Sequence, residues 1–176
     1  MRILIITLFL LSPAYLVYLI ALYLRTRVPY VVTPRRRLPL LFAHLRITPE
    51  TVIYDLGCGK GDVLFAAEKY GAKKIIGFEL SPLHAWYAQL KALLLRSEVR
   101  VRRQDFFLAD IGEADIIYLF LVQSMVDKLW PKIKKEAKRG ATIVVLCNKI
   151  PDIEPAQVLL PVDEEESGAK VYLYRI

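Results

Sequence analysis

A chain of 176 residues has room for one compact domain and one extra segment, and 25 lysines and arginines against 18 aspartates and glutamates (net +7) favour anionic surfaces as partners. Two cysteines, Cys58 and Cys147, are too few for a disulfide framework. The two histidines, His44 and His84, with no C-x-x-C or H-x-x-x-H spacing, leave no metal site to expect.

The first element in chain order is apolar. Ile3 to Leu24 runs 22 residues without a charge, and at 1.5 Å per residue such a helix spans the roughly 30 Å hydrocarbon core of a bilayer. It is longer than the apolar part of a cleavable signal and runs directly into Leu24, Arg25 and Arg27. The expectation is a retained single-pass transmembrane anchor over residues 1–27. Arg25, Arg27, Arg35, Arg36 and Arg37 follow the span while Arg2 precedes it, which predicts that the remainder of the chain faces the cytoplasm and that these arginines meet lipid headgroups. Residues 28–50, with Pro29, Pro34, Pro39 and Pro49, read as a connector in which "LPLLFAHLRI" forms a short helix packed on the domain.

From residue 51 to 176 the pattern alternates between continuous apolar runs, which mark strands buried on both faces, and helical stretches. Strands are predicted at Val52–Leu56, Lys74–Glu79, Val99–Gln104, Asp115–Val122, Thr142–Cys147, Gln157–Pro161 and Lys170–Arg175. Helices are predicted over Asp62–Tyr70, Pro82–Arg96 and Ser124–Lys138, the second with Ser81 as cap and Pro82 at its first position. The fold class is α/β: a Rossmann-like seven-stranded sheet, parallel except for one antiparallel strand introduced by the final hairpin. The turn of that hairpin, "VDEEESGA", holds the dense acidic cluster Asp163 to Glu166, a candidate for steering a basic substrate toward the ligand edge.

Ligands of such sheets bind beyond the carboxyl ends of the strands. After the first strand comes "YDLGCGKG", with glycines at 57, 59 and 61. A dinucleotide fingerprint fails because its third glycine falls on Asp62, and a phosphate loop fails because Gly59-Lys60 is followed by Gly61 instead of Ser or Thr. The remaining pattern, Asp55-x-Gly57-x-Gly59-x-Gly61, resembles the class I methyltransferases that use S-adenosylmethionine. That resemblance implies a loop, with Asp55 just before it and Cys58 within it, under the methionine part of the donor. Glu79 ends the second strand 22 residues beyond Gly57, the position of the ribose-binding acid in related folds, with Leu80 beside it. Asp105, after the third strand, is implied to accept from the adenine amine, and the Phe106 amide to serve a ring nitrogen.

"FELSPLHAWYAQLKA", Phe78 to Ala92, is more particular, with Ser81-Pro82 after the ribose acid and the pair Trp86-Tyr87 one turn later. It resembles the membrane-anchored protein lysine methyltransferases related to those acting on the ATP synthase c subunit and the adenine nucleotide translocase. "PYVVTP", Pro29 to Pro34, looks like that family's Pro/Thr-rich segment ahead of the fold, and "LVQSMV", Leu121 to Val126, loosely matches its Gln- and Met-containing segment. The resemblance implies a protein substrate at the membrane, no nucleic acid, and a lysine held neutral among aromatic side chains. Tyr30 and Phe120 are candidates for that wall together with Trp86 and Tyr87, and Gln123 for orienting the nitrogen. A lipid, quinone or other small apolar acceptor is the alternative; an RNA acceptor and an inactive donor-binding anchor stand behind it.

Overall fold

The computed structural model describes residues 2–160 and 170–176, with side chains from Ser12 onward. The predicted acidic turn at 163–166 lies outside the described residues. The chain divides into two compact units, Met1–Val31 and Val32–Ile176. The first is built on α1 (Arg2–Thr26), a 25-residue helix closed by Arg27 at φ 58°, whose amide donates to the Tyr23 carbonyl at 2.7 Å. Among the described residues no helix is long and apolar enough to cross a membrane.

The second unit opens with α2 (Arg37–Ala43), the short helix expected in the connector. Leu38, Leu41 and Phe42 bury its apolar side in the core, and Phe42 stacks on Tyr70 at 4.8 Å. There follow β1 (Val52–Leu56), α3 (Asp62–Lys69), β2 (Lys74–Glu79), α4 (Pro82–Leu95), β3 (Val99–Arg103), a 3-10 turn (Phe106–Leu108), β4 (Ile116–Leu119), α5 (Gln123–Glu136), β5 (Thr142–Leu146), β6 (Gln157–Leu159) and β7 (Val171–Arg175). The strands form one sheet in the order β3-β2-β1-β4-β5-β7-β6. β1 to β5 are mutually parallel; β7 is antiparallel to both β5 and β6. β6 therefore runs with the first five, and the expected seven strands with one reversed are what the chain forms.

Physical reasons for the elements are local. α4 starts where the Ser81 hydroxyl accepts from the His84 amide at 3.2 Å with Pro82 following, and stops where Arg96 turns left-handed at φ 52°. α5 buries Val126, Leu129, Trp130 and Ile133, a single stripe at helical spacing. β4 is shorter than the predicted Asp115–Val122, because Val122 already caps α5 and the chain has left the sheet by Phe120. At its other end the Asp115 carboxylate accepts from the Val52 amide at 2.8 Å and pairs with Lys138, joining the starts of β1, β4 and β5.

Candidate active site

The order β2-β1-β4 places the switch in chain direction at β1, and the segments after β1, β2, β3 and β4 converge there. The loop leaving β1 is tied to the end of β2: the Gly57 and Cys58 amides both donate to the Phe78 carbonyl, at 2.9 and 3.1 Å. Gly61 closes it, donating to the Cys58 carbonyl at 2.8 Å and capping α3 at φ 80°; a Cβ there would stand 3.0 Å from the Phe65 ring. The glycine spacing is thus required by backbone sign as well as by space.

Glu79 is the organising acid. One carboxylate oxygen accepts from the Gly59 amide at 2.8 Å and the other from the Ser81 amide at 2.7 Å, so it holds the loop and the start of α4 together. Burial pushes its pKa up, against the amides of Ser81, Gly59 and Leu80 that pull it down. Asp55, 3% exposed on β1, is pushed well above the carboxylate range by burial first and by the charge of Glu79 second. Both carboxyls are thus pushed toward the neutral acid, and a positive charge placed beside them would favour their ionised forms. Asp105 caps the 3-10 turn, one oxygen accepting from the Phe107 amide at 2.9 Å, while the Phe106 amide donates to no acceptor among the described residues. The Gln104 amide ties this segment to the Glu79 carbonyl at 3.2 Å.

Cys58 turns inward. Its thiol packs against Gly77 of β2 and burial drives its pKa well up, so it acts as packing under the loop. Leu80 is on the surface, 41% exposed.

On the acceptor side Phe120 is half-buried just beyond β4, packed on the core. The Gln123 amide donates to the Lys149 carbonyl at 2.8 Å and to Asp127 at 2.7 Å, which pins the side chain to its own helix and the post-β5 loop. Tyr30 belongs to the first unit. Trp86 and Tyr87 are 60% and 45% exposed on α4, and the Lys60 ammonium lies 5.5 Å from the Tyr87 ring centre. Tyr118 of β4 points into the core, its hydroxyl 3.0 Å from that of Thr33 and its pKa raised by burial.

Three residues important here went unread in the sequence. Gly77, a lone glycine inside an apolar strand, is the signal of a close backbone approach. A Cβ at Gly77 would stand 2.5 Å from both the Cys58 sulfur and Leu64. His84, fully buried in α4, is held neutral with its pKa down at about 4, by burial and then by Lys60. Asn148 donates to the Leu121 carbonyl at 2.6 Å, fixing the segment after β4 from the end of β5.

S-adenosylmethionine, with an ammonium and a sulfonium, fits the charge that Asp55 and Glu79 call for, and the glycine loop, Glu79, Asp105 and the Phe106 amide would hold it. The chain matches the ANTKMT methyltransferase domain over residues 55–157, a stretch that begins at Asp55 and takes in this whole set. It is 30% identical over 152 residues to a protein-lysine N-methyltransferase of Saccharolobus islandicus, covering 85% of this chain and 94% of that one. It is also 30% identical over 143 residues to the mouse (Mus musculus) adenine nucleotide translocase lysine N-methyltransferase, covering 77% of this chain but 60% of the mouse protein. Among solved structures, an RNA methyltransferase from Salinibacter ruber in complex with S-adenosyl-L-homocysteine superposes with a TM-score of 0.74 at 26% identity, covering 83% of this chain and 94% of that one. The chain belongs to the ANTKMT methyltransferase domain family and is an S-adenosylmethionine-dependent methyltransferase.

Proposed function

We propose that the chain methylates the side-chain amine of a lysine in a protein at a membrane. The observation that carries the acceptor is the similarity to the Saccharolobus protein-lysine N-methyltransferase, which extends over nearly the whole of that enzyme. The donor supplies a methyl group already activated on a sulfonium, so the protein's own work is positioning and control of charge. Glu79 and Asp105 bind and orient from two strand ends, the loop amides fix the distance, and Asp55 balances positive charge in the buried floor of the site. Before attack the lysine amine must be neutral, and desolvation lowers its pKa. Phe120, half-buried beside the post-β4 segment, is the aromatic surface we assign to that task, while Trp86 and Tyr87 are turned outward on α4. Tyr30 and Gln123 keep supporting roles: Tyr30 in the segment leading into the domain, Gln123 in bracing the loop after β5 against α5.

We further propose that α1 is a single-pass anchor that keeps the catalytic unit on the cytoplasmic side. Its support is the uncharged stretch Ile3 to Leu24 inside a helix of 25 residues, followed by Arg25 and Arg27. An RNA acceptor is the second reading, favoured by the similarity to the Salinibacter enzyme and by exposed arginines on β3.

One experiment separates these. Membranes from cells lacking the chain are incubated with methyl-labelled donor and the purified full chain, then treated with protease or ribonuclease and extracted with organic solvent. Label released by protease and found on lysine by mass spectrometry supports the proposal; label released by ribonuclease, or carried into the organic phase, refutes it. Removal of residues 1–27 should slow labelling of membranes while leaving a soluble lysine peptide modified at the parent rate, because the anchor acts by local concentration.

A further inference from the structure

α4 is built inside out with respect to size. The face on the sheet carries His84, Ala85, Ala88 and Ala92, small apart from the histidine, which lets the helix seat close to the strands. The outward face carries Leu83, Trp86, Tyr87, Leu90, Leu93 and Leu94, spaced three and four apart, exposed between 36% and 74% and without a charge among them. A soluble helix normally points its large apolar residues inward and its charges out. This one keeps an apolar ridge about three turns long in the open, with the donor loop at its N-terminal end, where Lys60 lies over Tyr87.

The other end of the ridge is basic. Arg96 closes the helix, and Arg100, Arg102 and Arg103 follow, exposed, on the edge strand β3, against a single acid, Glu98. Leu93, Arg96 and Arg100 line one shallow groove together with Gln89 and Ser97. A stripe of leucine and aromatic residues bordered by arginines has the chemistry of a surface that lies in the plane of a membrane interface: apolar groups enter the acyl boundary and guanidinium groups meet phosphates.

We infer that the outward face of α4 docks the catalytic unit on an anionic lipid leaflet, with Arg96 and Arg100 at the headgroups and Trp86 at the acyl boundary. This rests on the membrane residence proposed above and is independent of the lysine acceptor. It gives the surface a task that a transmembrane tether does not perform, namely setting which side of the domain faces the bilayer.

Trp86 is the natural reporter, because Trp130, the other tryptophan, is buried at 8% exposure. The full chain is reconstituted into vesicles of phosphatidylcholine alone or with phosphatidylglycerol added, and association is checked by flotation. The Trp86 signal, taken as parent minus Trp86→Phe, is then probed with acrylamide in the water and with brominated acyl chains in the lipid. The expected result is strong bromine quenching and weak acrylamide quenching in anionic vesicles, with the reverse in neutral ones. At about 1 kcal/mol per arginine near an anionic surface, Arg96→Gln and Arg100→Gln should each lower the docked-to-undocked ratio roughly five-fold. Leu90→Gln with Leu94→Gln, both exposed and so harmless to the fold, should abolish the bromine quenching. Trp86 equally open to acrylamide in both vesicle types while the chain floats overturns the inference and leaves the anchor intact. Protection from acrylamide without bromine quenching also overturns it, since protein then covers the ridge: α1, a second copy or the substrate. A chain that does not float overturns both this inference and the anchor.

Discussion

Replacing Gly77 by alanine tests the packing under the donor loop. The added methyl would be placed 2.5 Å from the Cys58 sulfur, 2.5 Å from Leu64 and 2.8 Å from the Cys58 Cβ. Ordinary carbon contacts sit near 3.5–4.0 Å, so two buried side chains must each retreat by about 1 Å in a core packed to crystal-like density. Overpacking of that kind costs about 1–3 kcal/mol. At about 2–4 °C per kcal/mol for a chain of this size, the melting temperature should fall by roughly 2–12 °C. The strain is directed, because Cys58 belongs to the loop whose Gly59 amide is bound by Glu79, so donor affinity should fall with stability. The assay is thermal unfolding of the full chain in one detergent, with and without donor, beside calorimetric titration of the donor. Cys58→Ala in the Gly77→Ala background should return part of both losses, a coupling the double-mutant cycle isolates. A Gly77→Ala chain that melts within a degree of the parent and binds donor equally well would show that the loop does not lean on β2 as described.

Other expectations follow from the same site. Glu79→Gln loses the charged acceptor for both the Gly59 and Ser81 amides, and since bonds to charged groups contribute about 1.5–3 kcal/mol, donor binding by calorimetry should weaken roughly ten-fold or more. His84 has a folded pKa near 4 against 6.5 in the open chain. The unfolded chain therefore takes up the proton first: the contribution is intact above pH 6.5 and is lost as pH falls toward 4, by about 3 kcal/mol. Denaturant titrations at several pH values should show that slope in the parent and not in His84→Gln, whatever the offset at pH 8. Tyr118→Phe leaves the buried Thr33 hydroxyl unpaired, at a cost of about 1–3 kcal/mol, and Thr33→Val in the same chain should recover most of it.

Elements set by near neighbours in the chain were readable. β1 and β2 keep the predicted ends because their largely apolar runs stop at Gly57 and before Ser81-Pro82, and α4 starts where its cap and proline say. The donor loop and the acids at 79 and 105 were legible for the same reason: each closes a strand. Features made by distant partners were not. Gln123 shows no sign in its own segment that Lys149, 26 residues on, will take its amide. Nor does the Thr33 hydroxyl announce a partner 85 residues away. α4 was ambiguous for another reason. Both its faces are apolar, so periodicity does not say which is inward, and only side-chain size separates the alanine face from the leucine face.

The position of β7 has a kinetic consequence. Among the described residues the outer edge of β5 has no partner until Val171–Arg175 arrives, and β6, although made earlier, bonds only to β7. During synthesis the five parallel strands can assemble in order, yet the Ile143–Leu146 edge stays open, an apolar run with unpaired amides and carbonyls of the kind that recruits other chains. β7 must enter between two waiting strands, and its insertion closes the edge and seats β6 in one event. Slow release of the segment after β6, or a proline within Val171–Arg175, should therefore appear as aggregation of nascent chains well before any change in donor chemistry.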